Sequence, residues 1–332
     1  MPVLWCSWPI AIPLLANLID FIVGDPWQWL HPVQVMGWAI QQYQTKVFAT
    51  VTSARGQRLA GVFLGLGLPL LSGAIAAGIV VIAQQLHVIF AIAIAAIIFA
   101  SCLAARSLRR AAEEVLRPLV DGDLLTARTR LSLYVGRDTD HLSEAEVLRA
   151  VMETISENAT DGVMAPLFYG LLGCAIAPAW GVGMAIAYKA LSTLDSMVGY
   201  QTPPYTDLGW FSARCEDVLT WLPCRLTVMT IGLLSRHPRH VWRLCCRDAI
   251  ADPSPNAGWS ECAYAAALGI QLGGLNTYRG EIRQKPLLAD PLRPISPSVI
   301  HQGMRLTRWA IWLWLLIGCG LLWGRYTWLG CA

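Results

Sequence analysis

Charge is what this sequence has least of. Only 14% of its 332 residues are Asp, Glu, Lys or Arg, against about 25% in soluble domains. That scarcity argues against the two soluble domains that length alone would suggest. No Cys-x-x-Cys pair occurs among the 10 cysteines, which speaks against a ribbon-type metal site or a disulfide scaffold. Cys102, Cys174 and Cys319 sit in apolar runs, as small apolar residues in a reducing compartment would. Neither Gly-x-x-x-x-Gly-Lys-Ser/Thr nor Gly-x-Gly-x-x-Gly is present, so any nucleotide is bound in some other way. Internal repeats and low-complexity linkers are missing too. No basic region precedes the first apolar stretch and no small-residue cleavage site follows it, so it does not read as a signal peptide.

Long uncharged runs are abundant. Residues 59–83 carry no charged side chain, and neither do 86–105 or 309–324. A run of 25 residues makes about 37 Å of helix, enough for ~30 Å of hydrocarbon. Spans are therefore expected at 3–23, 59–83, 86–105 and 306–328, with a hairpin break at Gln84-Gln85. Trp309, Trp312, Trp314, Trp323 and Trp328 cluster as interfacial anchors do. The uncharged stretch within 162–190 is divided at Ala177-Pro178 and Gly181, which predicts a broken hairpin of shorter helices; such breaks persist only where protein or water satisfies the backbone. A partial span is expected at 218–235. The sequence thus predicts an all-α, polytopic helical membrane protein, one domain over 1–332, with helical polar segments at 106–161 and 236–305. Of 25 Lys and Arg, three fall in 24–58, eight in 106–162 and ten in 236–308, which puts those blocks on the cytoplasmic side. The net charge of +3 is explained by that bias and calls for no nucleic-acid partner.

Chemistry-bearing residues concentrate in the polar segments. Leu108, Ala111, Ala112, Val115 and Leu119 recur at helical spacing, Pro118 limits that helix, and Asp121-Gly122-Asp123 form a turn. A second helix opens at Ser143, with Glu146 completing a capping box. It carries Glu153, Glu157 and then Asp161 at four-residue intervals, on one face, where like charges repel and require a cation, a proton or a basic partner. A solvated acidic face is the alternative. Asn158 adds a neutral hydrogen-bonding group. Lys189 and Asp195, at the end of the broken hairpin, are ionisable groups at a membrane edge and hence functional candidates. Arg214 and Asp217 open a largely apolar helix, and Asp217 and Arg225, eight apart, share a face as either a structural or a catalytic pair. Asp25-Pro26 and His31-Pro32 form a rigid turn after the first span. Ser254-Pro255-Asn256 belongs to a loop of turn formers, followed by a helix of small residues, Cys262 to Leu268, ending at Gly273-Gly274.

Six strings resemble adenosylcobinamide-phosphate synthase, the CobD/CbiB family of cobalamin biosynthesis. They are GDPWQWLHPVQVMG (24–37), LSLYVGRDT (131–139), ETISENATDGVMAPLFY (153–169), YKALSTLDSMVGY (188–200), SARCEDVLTWLPCRLT (212–227) and SPNAGWSECAYAAALGIQLGG (254–274). The resemblance runs to about residue 310. Ser192, Glu216 and Thr220 depart from the family pattern of Asn, Asp and Asn, keeping polarity. The resemblance implies that a carboxylate of adenosylcobyric acid is joined to the amine of (R)-1-amino-2-propanol phosphate, with ATP and Mg²⁺. It implies a multi-pass protein of a bacterial inner membrane, with its active site facing the cytoplasm and other corrinoid-pathway membrane proteins as partners. A carboxylate acylates an amine only after one oxygen becomes a leaving group, so anionic charge converges and needs Mg²⁺ and basic side chains. Glu157, Asp161 and Asp217 are then the expected metal ligands. Arg137, Lys189 and Arg214 are candidates for phosphate or carboxylate contacts, and Glu153 or Asp195 for accepting the ammonium proton. Asn256, Gln271 and Asn276 offer hydrogen bonds to corrin amides; Asp25, His31, Asp138, Asn158, Arg225 and Ser254 complete the substrate-binding candidates. A transporter or a sensory protein of the AmpE type are the competing classes; the first usually has paired repeats, and the second is expected to lack the carboxylate and Asn motifs.

Overall fold

The computed structural model describes residues 2–24, 31–200 and 202–330. Thirteen helices are described: α1 Pro2–Ile22, α2 Pro32–Thr50, α3 Ala54–Leu86, α4 Val88–Ala100, α5 Ala105–Val120, α6 Leu124–Leu131, α7 Glu144–Ala159, α8 Ala165–Ile176, α9 Pro178–Val198, α10 Trp210–Leu234, α11 Pro238–Asp248, α12 Ala257–Leu268 and α13 Pro297–Gly330. Among the described residues five helical runs are long and apolar enough to cross a bilayer: Ala54–Leu86, Val88–Val120, Glu144–Ile176, Trp210–Leu234 and Pro297–Trp328. On the first and last of these runs apolar surface faces outward. Phe63, Leu70, Ile82, Leu316 and Trp323 are each more than 60% exposed, a pattern that suits lipid and would be an aggregation liability in water. The protein is an all-α polytopic membrane protein.

Helix boundaries depart from the sequence reading in several places. The break expected at Gln84-Gln85 falls at His87, whose Nδ1 accepts from the Ile89 N–H at 3.2 Å and caps α4. The last helix begins at Pro297, nine residues before the expected span. The acidic helix does not stop before the apolar stretch: α7 passes through a π-helical turn, Thr160–Met164, directly into α8. Such turns keep the backbone bonded while changing the helical register, so Asp161 leaves the strict α-helical face of Glu153 and Glu157. The capping box forms, with the Ser143 N–H donating to Glu146 Oε2 at 2.7 Å and Ser143 Oγ accepting from the Glu146 N–H. Ala177, in extended conformation, separates α8 from α9, and Pro178 starts the new helix where its missing N–H costs nothing.

The chain forms two compact units. One comprises 1–104, 165–220 and 314–332. In it α3 packs on α9 through small residues. A Cβ on Gly73 would stand 2.7 Å from the Gly183 carbonyl oxygen and 3.2 Å from the Ala187 Cβ, so a larger residue at Gly73 would push the helices apart. The other unit comprises 105–164 and 221–313. There α7 packs on α5 and α12, with Ala112, Val115, Leu116 and Leu119 of α5 buried.

The second unit also holds what the helical reading missed. The small-residue helix ends at Leu268, not at Gly273-Gly274, because Gly269 adopts φ +67 and closes it. The chain then forms an antiparallel hairpin, β1 Leu272–Tyr278 and β2 Glu281–Leu288. Its turn places Arg279 at φ 51 and Gly280 at φ 80, the positive-φ pair that suits the strand twist. Arginine is unusual there. The Asp138 carboxylate compensates by accepting from the Arg279 and Gly280 N–H groups at 3.0 and 2.8 Å.

Candidate active site

The predicted residues that lie among the described ones can be followed to their places. In the unit of α5–α7, α11, α12 and the hairpin, Glu153 projects from the buried face of α7. One carboxylate oxygen accepts from the Arg137 guanidinium and the other from the Gly273 N–H at 3.0 Å. Arg137 also donates to Asn276 Oδ1 at 2.8 Å. Arg149, one turn before Glu153, donates to the Gly273 carbonyl, to the Leu275 carbonyl at 2.8 Å and to Asn276 Oδ1 at 3.1 Å. Glu153, Arg137 and Asn276 therefore clamp strand β1 onto α7. Buried charges in such a network are stable only when their hydrogen bonds are satisfied on all sides.

Two site residues escaped the sequence reading. Glu261, fully buried on α12, pairs with Lys285 of β2 at 3.1 Å, and Lys285 is itself only 28% exposed. Burial pushes the Glu261 carboxyl up, to about 8; the Lys285 ammonium opposes that shift, while Glu157 and Glu153 add to it. Glu261, Glu157 and Glu153 thus share one electrostatic neighbourhood with Lys285. Three carboxylates face the cations Lys285 and Arg137, and an added proton or cation would balance them. The Oε2 of Glu261 and the Oδ2 of Asp252 are buried without a hydrogen-bond partner. A carboxylate inside a run of Ala and Cys was the available signal for Glu261; nothing local marks Lys285.

The π-helical turn lies beside this group. Thr160 Oγ1 is 2.6 Å from Ser260 Oγ, and Ser260 donates to the Ser156 carbonyl at 2.5 Å. These bonds tie the turn to α12. Glu157 and Asp161 are half-buried, and Asn158 is exposed, its amide donating to the Thr154 carbonyl at 2.9 Å. Among the described residues no three His, Cys, Asp or Glu side chains gather into a metal cage. Mg²⁺ needs none, since it takes one or two carboxylates and completes its octahedron with substrate phosphates and water. The hard oxygens of Glu157 and Asp161 fit that requirement.

The loop before α12 is built from its own side chains. Ser254 Oγ accepts from the Asn256 and Ala257 N–H groups at 3.3 and 3.1 Å. Arg225 does not use Asp217, the partner suggested by their spacing. It donates to the Pro255 carbonyl at 2.8 Å and to Asn256 Oδ1 at 3.1 Å, and stacks 4.3 Å from the Trp259 ring centre. Gln271 donates to the Ala289 carbonyl at 3.0 Å.

In the other unit, buried Glu216 is the centre of a polar group on α9 and α10. It accepts from Thr220 Oγ1 and, at 3.3 Å, from the Tyr188 hydroxyl, while Tyr169 stacks on Tyr188 at 5.2 Å. Asp195 and Asp217 are near enough to act on its charge. Lys189, next to Tyr188, is half-buried. Arg214 is 70% exposed and lies 3.9 Å from Asp217. His31 caps α2, accepting from the Val33 N–H at 3.3 Å. Asp25 lies outside the described residues.

Comparison with known proteins adds a separate line of support. The sequence profile described as CobD/Cbib protein matches residues 13–307. The chain is 50% identical over 310 residues to the cobalamin biosynthesis protein CobD of Synechocystis sp., covering 93% of this chain and 90% of that protein. It is 39% identical over 325 residues to the cobalamin biosynthesis protein CbiB of Salmonella typhi, covering 96% and 97%. With the CobD of Halalkalibacterium halodurans it shares 39% over 314 residues, covering 91% and 95%. No solved structure matches.

Proposed function

The chain belongs to the CobD/CbiB family, and on that premise we propose that it is an adenosylcobinamide-phosphate synthase. It is a membrane protein of cobalamin biosynthesis, and the reaction assigned to it is ATP-dependent amide formation between adenosylcobyric acid and (R)-1-amino-2-propanol phosphate. The active site faces the cytoplasm of a bacterial inner membrane. What carries the reading is the acidic–basic group of buried Glu153, Arg137 and Glu261 with half-buried Glu157 and Lys285, beside the half-buried Asp161.

The chemistry follows from the charges. The nucleotide phosphates, the phosphate of the amino alcohol and the reacting carboxylate bring together more negative charge than the one ammonium offsets, so cations must be supplied in a sheltered site. Glu157 and Asp161 are the residues that would hold Mg²⁺, which would supply positive charge for the nucleotide phosphates. Asp217 is a further carboxylate of the same class in the other unit. Lys189 and Arg214 are donors for phosphate or carboxylate oxygens. The attacking amine must lose a proton; Asp195 is a candidate to accept it, whereas Glu153, already bonded to Arg137 and Gly273, serves to hold β1 in place. Asn256 and Asn276, proposed for hydrogen bonds to corrin amides, are each held through Oδ1 by an arginine and are only 3% exposed, so their first role is to fix the loop before α12 and strand β1.

Membranes containing the chain, supplied with adenosylcobyric acid, the amino-alcohol phosphate, ATP and Mg²⁺, are expected to form adenosylcobinamide phosphate. Failure with aminopropanol phosphate, ethanolamine phosphate and threonine phosphate alike, in membranes where the protein is intact, would overturn the assignment.

A further inference from the structure

A cavity of about 570 Å³ opens in the second unit between α5 and the first turns of α13. Its lining includes Arg109 and Glu113 of α5 and Ser298, His301, Arg305 and Arg308 of α13. The size lies in the range of ~300–1,000 Å³ typical of small-ligand sites. Three arginines face one carboxylate, Glu113, which lies 3.9 Å from Arg109. The N-terminus of a 34-residue helix adds its partial positive charge from the Ser298 turn. The cavity is thus built for an anion, and guanidinium groups suit phosphate oxygens best. None of its residues belongs to the acidic group assigned to amide formation.

Position selects the source of that phosphate. Arg305 and Arg308 immediately precede the uncharged run 309–324 of the same helix. Trp309 is 62% exposed and Trp312 46%, where indole rings anchor a helix at the headgroup layer. An arginine cluster one turn from that layer is at the depth of lipid phosphates. We propose that this cavity binds the phosphate of an anionic phospholipid headgroup and so fixes the depth of α13 in the bilayer.

Native mass spectrometry of the detergent-purified full chain, titrated with phosphatidylglycerol and with phosphatidylcholine of the same acyl chains, tests the proposal. Phosphatidylglycerol should be retained in preference, and Arg305→Gln/Arg308→Gln should weaken that preference about tenfold. Arg305→Lys/Arg308→Lys should keep most of it, which separates lost charge from lost fold. Arg239→Gln/Arg243→Gln, on exposed α11 positions, should leave it unchanged. Equal retention of the two lipids, or an undiminished preference in Arg305→Gln/Arg308→Gln, would overturn the proposal. Displacement of the lipid by equimolar inorganic phosphate would assign the cavity to a soluble phosphate instead and overturn the lipid source.

Discussion

Arg137 and Glu153 form an ion pair in which only 7% and 2% of the two side chains reach solvent. Removing one partner strands the other in a buried place. Arg137→Met is expected to cost about 3–5 kcal/mol, read as a lower unfolding midpoint in detergent. Arg137→Met/Glu153→Gln should recover part of that loss, because the second change removes the stranded charge. A single variant as stable as the parent would mean the pair holds nothing together.

Glu157→Gln and Asp161→Asn each delete a negative charge at nearly constant volume. Both are expected to reduce amide formation at least about 100-fold, a transition-state loss of ~2.7 kcal/mol, while the protein still inserts and accumulates. Near-normal turnover in both would remove them from the metal site.

Stability should depend on pH through Glu261. Its carboxyl is raised by burial from 4.5 to about 8. Between those values the folded protein keeps a proton that the unfolded chain releases. Stability from this group is therefore full below pH 4.5, falls as pH rises and levels off above about 8. Unfolding midpoints of the parent should drop from pH 5 to pH 8.5, and Glu261→Gln should flatten that slope. Identical slopes would show that Glu261 does not titrate in this window.

Asp140 and Arg279, both exposed, lie in blocks that the basic-residue bias puts inside the cell. In a cysteine-free background, a single cysteine at either position should resist a membrane-impermeant maleimide in right-side-out vesicles and react in inverted ones. Ready reaction in right-side-out vesicles would reverse the orientation. Asn256 would be a poor reporter, being 97% buried by its 3% exposure.

Activation of the carboxylate can be traced with oxygen-18 placed in the reacting group of adenosylcobyric acid. Transfer of the γ-phosphoryl group would send label into inorganic phosphate, with ADP formed in step with product. That is the expected result. Label in AMP would establish adenylation, and product without nucleotide consumption would exclude both routes.

The sequence by itself determined the properties that depend on near neighbours. Uncharged runs long enough for a bilayer became helices with exposed apolar faces. Ser143 and Glu146 formed their cap, and Ala177-Pro178 broke the hairpin, because each effect acts within about one turn of chain. The acidic residues of the motifs were legible for the same reason: carboxylates are conspicuous where charge is scarce. Tertiary structure decided which of them meet which partners. Glu261 and Lys285 are 24 residues apart, and only the hairpin folding back beside α12 joins them. That hairpin has an arginine in its positive-φ turn, held by Asp138, 141 and 142 residues away from the two N–H groups it accepts. Arg225 turned from Asp217 to Asn256 and Trp259 for a similar reason. A half-buried cation goes where packing supplies oxygens and a ring, and no spacing along one helix encodes where another segment will lie.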